Sequence, residues 1–384
     1  MTPAARLSAA MTVLDRILAG EPAEQALTNW GRANRFAGSG DRHALRDLVY
    51  DALRCKRSYA ALGGGMTGRG LILGGQRAAG ADLDALFTGL GHAPAVVSED
   101  ETGHQPQGAE ALDIPDWLYP HFSNALGDEC DATLLAMRQR APVFLRVNRA
   151  RITPAQAMAA LAEAGIGTRP YPGVENALEV IENARKIQNS NLYAEGLVEL
   201  QDASSQAVIE ALPLKDGLRV LDMCAGGGGK TLAMAARARL QLFAYDADQG
   251  RMRDLPLRAK RAGVQVDILQ NPEKTALYDL ILTDVPCSGS GSWRRDPMGK
   301  WALTPARLAQ IVKVQTSILS RAAAMLGPQG VLAYATCSVF REENEDQISA
   351  FLTQFPQFSC RLQRRFSPLH GGDGFFLALL ERGD

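Results

Sequence analysis

The chain has 384 residues, of which 46% are hydrophobic and 22% are charged, a composition typical of a folded globular protein. At this length we expect more than one hydrophobic core, and therefore two or three domains. The 41 basic residues balance 42 acidic residues, which excludes the strongly basic overall charge of a nonspecific nucleic-acid binder but not a local basic groove.

No apolar stretch approaches the length of a membrane span, and the first twenty residues alternate polar and apolar positions at helical spacing instead of forming a signal peptide. We therefore expect a cytoplasmic protein without a membrane partner. The six cysteines lie far apart and form no C-x-x-C pair, which predicts free thiols and no metal site.

The chain is predicted to divide in three. Residues 1–135 carry apolar positions three and four apart and are predicted to be helical. Residues 136–205 begin with the strand-like VFLRVN and continue with a helix capped by Thr153 and opened by Pro154, which predicts a small α+β module. Residues 206–384 form the remaining domain.

In this last domain, apolar strands alternate with helices. The strand candidates are RVLDMCA, LQLFAYDA, VQVDIL, YDLILTDVP and GVLAYATCS. This rhythm predicts an α/β fold with a doubly wound, mostly parallel sheet. Such sheets bind ligands outside the carboxyl ends of their strands, so the residues that follow each strand are the candidate site.

The first strand is followed by the glycine-rich stretch CAGGGGKT, residues 224–231. A phosphate loop would need glycine at the position of Cys224, so the pattern disfavours an ATPase. Asp246 ends the second strand about twenty residues later, where Rossmann-like sites hold a ribose diol. Dehydrogenases, methyltransferases and purely structural turns share these features, so the turn alone leaves the function open.

Two later strands each end in a cysteine followed by serine, at Cys287 and Cys337. Free cysteines are usually small buried apolar residues, but two at ligand-binding strand ends favour thiol chemistry beside a nucleotide-like cofactor.

The segments LDMCAGGGGKT, DVPCSGSGSWRRDP, YATCSVFREENE and GGDGFFLALL resemble, in order and spacing, the signature segments of RsmB/NSUN-type RNA (cytosine-5) methyltransferases. FLRVNRAR and VELQDASSQ resemble the segments that precede the catalytic domain in that family. The N-terminal DRHALRDLVYDALR resembles the NusB-like RNA-binding domain of its bacterial rRNA branch. The resemblance implies a Rossmann-like methyltransferase domain behind an α+β module and a NusB-like all-α domain.

The resemblance implies that S-adenosyl-L-methionine is the cofactor and that cytosine C5 in RNA, most simply an unpaired rRNA cytosine, is the methyl acceptor. It implies that Cys337 attacks C6, that Cys287 assists product release, and that Asp284 contacts the cytosine edge. The implied cofactor-binding residues are Cys224, Ala225, Gly226, Gly227, Gly228, Gly229, Lys230, Asp246, Arg251, Asn271 and Asp284. No metal is implied, and we expect a monomer.

The chain departs from the family pattern at two points. The usual Ala-Pro-Gly-Gly-Lys turn is replaced by Gly226–Gly229 and Lys230, which should loosen the turn. Asn271 stands where an acid usually receives the adenine amino group. The altered turn leaves open a noncatalytic RNA-binding assembly factor that retains the fold. A second open alternative is a DNA cytosine-5 methyltransferase, which would use the Pro-Cys thiol of Cys287 as nucleophile.

Two basic clusters are candidates for RNA contact. One runs along a predicted helix from Arg251 to Arg261, where a solvated face is an equally good interpretation. The other, WRRDPMGKW, places cations between Trp293 and Trp301, which suits phosphate contact and base stacking.

Overall fold

The computed structural model describes residues 1–383. They divide into two compact units. The helical unit comprises Met1–Arg140 together with Trp293–Ala302, and the α/β unit comprises Ala141–Ser292 and the chain from residue 303 onward. Residues 293–302 thus belong to the helical unit although the chain around them belongs to the α/β unit.

The helical unit is built on amphipathic helices. Apolar residues of the first helix, such as Leu7, Met11 and Leu14, recur three and four positions apart and are buried in the unit's core. Thr2 caps this helix by accepting the amide of Ala5. The helices are α1 (Pro3–Leu18), α2 (Ala23–Ala33), α3 (Ser39–Arg54), α4 (Lys56–Gly63), α5 (Gly68–Ala78), α6 (Leu83–Leu86), α7 (Gly108–Ala111), α8 (Tyr119–Leu126) and α9 (Cys130–Met137).

The α/β unit begins with a small antiparallel sheet of strand order β2-β3-β1-β4. Its helix α10 starts at the predicted position: Thr153 and Gln156 form a reciprocal capping box, and Pro154 takes the first helical position. The elements are β1 (Val143–Val147), α10 (Pro154–Glu163), β2 (Thr168–Pro170), β3 (Ala177–Val180), α11 (Asn191–Ala194), β4 (Val198–Leu200) and α12 (Ala203–Glu210).

The larger sheet has the strand order β10-β11-β9-β8-β5-β6-β7, with β5 to β9 parallel and the C-terminal β10 and β11 antiparallel. The order reverses between β5 and β8, as in a doubly wound sheet, and the predicted α/β fold is confirmed. The elements are β5 (Arg219–Asp222), α13 (Gly229–Ala235), β6 (Gln241–Ala244), α14 (Leu255–Ala262), β7 (Asp267–Ile268), β8 (Tyr278–Asp284), α15 (Pro297–Ala302, of the helical unit), α16 (Pro305–Met325), β9 (Leu326–Thr336), α17 (Glu345–Gln354), β10 (Phe358–Phe366) and β11 (Phe375–Arg382).

The central strands are buried on both faces. Leu221, Ile281 and Leu332 contribute to one side of the core, while Val220 and Leu282 contribute to the other. This burial fixes the strands in register and brings the ends of β5, β8 and β9 to one edge.

The described residues contain neither a candidate membrane span nor a candidate metal-binding cluster. Among residues 1–383, the helices are all too short or too polar to cross a bilayer. The same residues contain no group of three or more histidine, cysteine or acidic side chains arranged to hold a metal ion.

Candidate active site

Three neighbouring parallel strands deliver the predicted site residues to one edge of the sheet. Asp222 pairs with Leu282 across β5 and β8, and Asp284 pairs with Ala335 across β8 and β9. The segments that follow these strands carry the glycine-rich turn, Cys287 and Cys337. The ends of parallel strands therefore bring together residues that are more than a hundred positions apart in sequence.

Cys287 and Cys337 are in direct contact, with their sulfur atoms 3.2 Å apart. Both side chains are half-buried, and both are free thiols. The amide of Gly291 donates to the carbonyl oxygen of Cys337 at 2.9 Å, which joins the two cysteine loops through the backbone as well. The pair can act together on one bound group.

The two thiols differ in their surroundings. The hydrogen bond with Cys337, together with burial and the negative charge of Glu343, raises the pKa of Cys287 well above its usual value. Cys287 therefore holds its proton and can donate it to the sulfur of Cys337.

Lys230 and Asp284 form an ion pair beside the cysteines. The ammonium nitrogen lies 2.7 Å from a carboxylate oxygen of Asp284, and it stands 5.0 Å from the centre of the Phe375 ring. Burial alone would lower the pKa of Lys230, but the attraction of Asp284 and of Cys337 outweighs it and raises the pKa. Lys230 is thus a fixed positive charge that interacts with Cys337.

Backbone hydrogen bonds shape the glycine-rich turn. Gly226, at φ 49°, donates its amide to the Asp246 carboxylate at 2.9 Å. Gly228, at φ 81°, donates to the carbonyl of Ala225 at 2.8 Å and precedes the first residue of α13. Both positions need glycine, since other residues rarely adopt a positive φ.

Two arginines hold the turn from outside, and neither was predicted to do so. Arg146 of β1 is buried and donates to the carbonyl of Gly229 at 2.7 Å, while burial lowers its pKa to about 10. Arg258 donates to the carbonyl of Gly227 and pairs with Glu199 at 3.0 Å. Both contacts span long sequence separations, so no local pattern could have indicated them.

Asp222 lies under the turn in a buried environment. One carboxylate oxygen accepts the hydroxyl of Thr231 at 2.6 Å, and the other has no hydrogen-bond partner. Burial raises the pKa of Asp222 to about 7.

A cavity of about 310 Å³ opens at the ends of β5 and β6. Cys224, Asp246 and Arg251 of the predicted cofactor set line it, with Arg251 paired to Asp246 at 3.2 Å. The remaining lining residues are Met223, Tyr245, Ala247, Asp248, Pro286, Val314, Ser317, Ile318 and Arg321. Apolar walls with acids at one end suit a nucleoside, whose base is flat and whose sugar carries hydroxyl donors.

Asn271 is outside this lining. Its side-chain oxygen accepts the amide of Glu273 at 3.1 Å and caps a short 3₁₀ turn, Pro272–Lys274. Its part in cofactor binding stays a prediction.

Several residues of the two basic clusters are buried or form ion pairs within the protein, so they do not form the basic surfaces that were predicted to contact RNA. Trp293, Arg294 and Lys300 are buried, so the prediction of RNA contact is wrong for these three residues. In the first cluster, Arg258 and Arg261 pair with the buried Glu199 and serve the structure.

Exposed charges do remain in that first cluster. Arg253 and Lys260 both lie on the surface of the α/β unit. Arg251 is exposed as well but pairs with Asp246 at 3.2 Å, and Lys260 lies on α14 whereas Arg253 precedes that helix.

Sequence reasoning also missed Glu343. It is fully buried and bonds the serine after each cysteine. The only signal was its place in the segment YATCSVFREENE, where an acid gives no indication of burial.

The family models match two parts of the chain. Residues 209–381 match the model described as 16S rRNA methyltransferase RsmB/F, and residues 114–188 match the ferredoxin-like domain of RsmF/B-like methyltransferases. The first of these ranges contains the glycine-rich turn, the cavity and both cysteines.

Curated relatives match about two thirds of the chain. The chain is 35% identical over 284 residues to ribosomal RNA small subunit methyltransferase B of Klebsiella pneumoniae subsp. pneumoniae, a match that covers 69% of this chain and 65% of that protein. It is 34% identical over 282 residues to the protein of the same name from Salmonella arizonae, covering 69% and 66%. The matches thus span slightly less than two thirds of these relatives.

Solved structures extend the similarity. Protein PH0851 superposes with a TM-score of 0.79 at 23% identity, covering 100% of this chain and 99% of that one, which shows a common fold. A methyltransferase homolog from Pyrococcus horikoshii gives a TM-score of 0.63 at 26% identity, covering 71% and 97%. Together with the curated relatives, the family model shows that residues 209–381 form a methyltransferase domain of the RsmB/F family.

Proposed function

We propose that this protein is an S-adenosylmethionine-dependent RNA methyltransferase that methylates C5 of an unpaired cytosine, most simply in ribosomal RNA. The single observation that carries the proposal is the contact of Cys287 and Cys337 at 3.2 Å, at the same sheet edge as a nucleoside-sized cavity. The family match of residues 209–381 supports methyl transfer, and the names of the curated relatives support rRNA as the substrate.

The residues of the cavity fit S-adenosylmethionine. Asp246 and Asp248 offer carboxylates to ribose hydroxyls, while Ile318 and Pro286 offer apolar surface to a flat base. The unpartnered oxygen of Asp222 offers an acceptor under the adjoining turn. When bound, this cofactor supplies an electrophilic methyl group.

Cytosine C5 is a weak nucleophile, so the acceptor must be activated first. In the proposed reaction the sulfur of Cys337 adds to C6, which gives C5 the electron density of an enamine and lets it accept the methyl group. The C5 proton then passes to solvent, and the electron pair of the C5–H bond reforms the C5–C6 double bond while the Cys337 sulfur leaves C6 as a thiolate, which restores the aromatic ring.

The surroundings of the thiols support this division of roles. Cys287 holds its proton, which suits a partner in release better than an attacking thiolate. Lys230 places a positive charge beside Cys337, and Asp284 keeps that charge in position. Asp284 lies at the end of β8, where its free lone pairs can also meet the cytosine edge.

The test is to separate the two cysteines. Cys337→Ala and Cys287→Ala proteins are incubated with labelled S-adenosylmethionine and 16S rRNA transcripts, and products are resolved on denaturing gels. We expect a trapped protein–RNA adduct with Cys287→Ala and none with Cys337→Ala. An adduct with the reverse dependence would contradict the assignment.

The same experiment decides between the open alternatives. A DNA cytosine-5 methyltransferase would form its adduct through Cys287 and on DNA. A noncatalytic assembly factor would form none, and calorimetry with S-adenosylmethionine would show no binding. The monomeric state remains a prediction, which light scattering tests.

A further inference from the structure

Glu343 connects the two cysteine loops. It lies at the end of a 3₁₀ turn, Arg341–Glu343, and its side chain is fully buried. One carboxylate oxygen accepts the amide of Ser288 at 2.8 Å. The other accepts the hydroxyls of both Ser288 and Ser338, the residues that directly follow Cys287 and Cys337.

A further contact ties Glu343 to the helix that covers the site. Gln315 of α16 donates its side-chain amide to the carboxylate at 3.0 Å and to the carbonyl of Pro286, also at 3.0 Å. Pro286 directly precedes Cys287. The loop of Cys287 is therefore held on both sides of the cysteine.

The backbone of Glu343 is fixed as well. The buried Tyr334 of β9 donates its hydroxyl to the carbonyl of Glu343. The next residue, Asn344, accepts the hydroxyl of Thr336 at 2.6 Å and donates to the carbonyl of Ser338 at 3.0 Å. The carboxylate thus projects from a rigid base between the loops.

Packing alone does not explain why a carboxylate is buried at this position. Each donor to the carboxylate is neutral, so the buried negative charge is stabilised by hydrogen bonds without a paired cation. A buried carboxylate is costly unless it is fully hydrogen-bonded, and an apolar residue could fill the same space at lower cost. The charge is placed where it joins Ser288 to Ser338.

We infer that Glu343 is a positioning residue of the proposed reaction: by binding Ser288 and Ser338 at once, it fixes the loop of Cys287 against the loop of Cys337. The inference rests on the proposed function for its role in catalysis. A misplacement of about 1 Å between reacting groups can reduce a rate roughly a hundredfold, so a clamp between two separate loops has a direct kinetic value.

The charge of Glu343 has a second effect on the pair. The ionisable groups that interact with Cys287 are Cys337, Glu343 and the buried Tyr334. The negative charge of Glu343 opposes ionisation of Cys287 and helps it to keep the proton.

The test uses Glu343→Gln, which keeps the shape and one acceptor oxygen but removes the charge. Asp346→Asn is the matched control, because Asp346 is an exposed acid near the same turn that pairs only loosely with Arg341, at 3.6 Å. Rates of Cys287 alkylation by iodoacetamide are followed by mass spectrometry from pH 6 to 10, without RNA or cofactor. Methyl transfer to 16S rRNA is measured in parallel.

We expect Glu343→Gln to shift the alkylation profile of Cys287 to lower pH, because the negative charge that opposes ionisation of this thiol is removed. We expect kcat to fall about 10- to 100-fold, with the KM for S-adenosylmethionine within about twofold of wild type. Asp346→Asn should match wild type in both measurements. A merely structural loss would not move the alkylation profile of one thiol.

Glu343→Gln with a wild-type alkylation profile and wild-type kcat would overturn the inference. If the variant unfolds, Ser338→Ala removes one clamp contact and should still lower kcat while KM stays unchanged. A shifted alkylation profile in a protein that methylates no RNA would retain the positioning role but end the proposed function, so the two failures are distinguishable.

Discussion

The ammonium group of Lys230, at the start of α13, lies 2.7 Å from the carboxylate of Asp284, at the end of β8. The Lys230 side chain is 10% exposed and that of Asp284 is 29% exposed, so solvent screens the pair only in part. The pair links the glycine-rich turn to the strand that leads to Cys287.

We predict that Lys230→Met lowers the free energy of unfolding by about 2 kcal/mol, because it leaves the Asp284 carboxylate without its charged donor. Asp284→Asn should cost a comparable amount. Urea unfolding of both variants and of the double variant measures the coupling. A double variant whose loss equals the sum of the single losses would show that the two residues do not interact.

The buried carboxyl of Asp222 predicts a pH dependence of stability. Its folded pKa, raised to about 7, exceeds the unfolded value of 3.8, so its stabilising contribution is complete below pH 3.8 and is lost as the pH rises through 7. Asp222→Asn lacks this loss. As the pH rises from 5 to 8, the free energy of unfolding of Asp222→Asn should therefore increase by about 3 kcal/mol relative to that of the wild type, as measured by urea unfolding. Parallel curves for the two proteins would contradict the prediction.

Two neighbouring glycines in the turn should respond differently to alanine. A Cβ on Gly228, at φ 81°, would lie 2.2 Å from Cδ1 of Leu255, whereas a Cβ on Gly229 would meet only Gln201 at 3.6 Å. We predict that Gly228→Ala costs about 1 to 2 kcal/mol from the backbone alone, and more from the contact. Gly229→Ala serves as the control and should stay within about 0.5 kcal/mol of wild type. Equal losses in thermal unfolding would contradict this reading of the turn.

Lys300 predicts a different pH dependence in the helical unit. Burial lowers its pKa to about 8, while its ammonium donates to the carbonyl of Arg54 at 3.1 Å. The charged form is therefore penalised below pH 8, and the penalty disappears as the pH rises toward 10.5. Between pH 8 and 10.5, the free energy of unfolding of the wild type should rise by about 3 kcal/mol relative to that of Lys300→Met.

The same variant tests the location of Lys300. Because the side chain is buried, filter binding to 16S rRNA should give the same affinity for Lys300→Met and wild type at fixed salt. A reduced salt dependence of binding would instead identify Lys300 as a phosphate contact.

Much of the α/β unit could be predicted because its central strands are long apolar runs. YDLILTD forms β8 as expected, and the same rule of strand ends brings the two cysteine segments to one edge. The prediction was weaker at VQVDIL, of which only Asp267–Ile268 forms a strand. This segment lies at the sheet margin, where fewer neighbours impose an extended conformation.

The antiparallel pair at the C-terminus was not predicted. Phe358–Phe366 alternates polar and apolar residues along an edge strand, and Phe375–Arg382 is buried between it and β9. Which partner a strand chooses depends on tertiary packing, which the local pattern does not contain.

The site's supporting contacts could not be predicted for a related reason. Arg146 and Glu343 act on residues that are 83 and 55 positions away in sequence. A charged residue in a sequence usually indicates solvent exposure, and these two are buried only because the fold supplies several partners at once. Lys300 is a further example: its basic neighbours in the sequence predicted solvent exposure, but its side chain is buried.

The assignment of residues 293–302 to the helical unit has a consequence for how the protein is made. Trp293 packs on Phe122 with ring centres 5.8 Å apart, and the indole of Trp301 donates to the carbonyl of Leu53 at 2.8 Å. During translation, the first 140 residues leave the ribosome long before this segment is synthesised, so their bundle stays incomplete until most of the polypeptide exists. A nascent chain stalled before residue 293 should therefore be cleaved by protease within the N-terminal helices. A chain that already includes residues 293–302 should resist cleavage at the same positions.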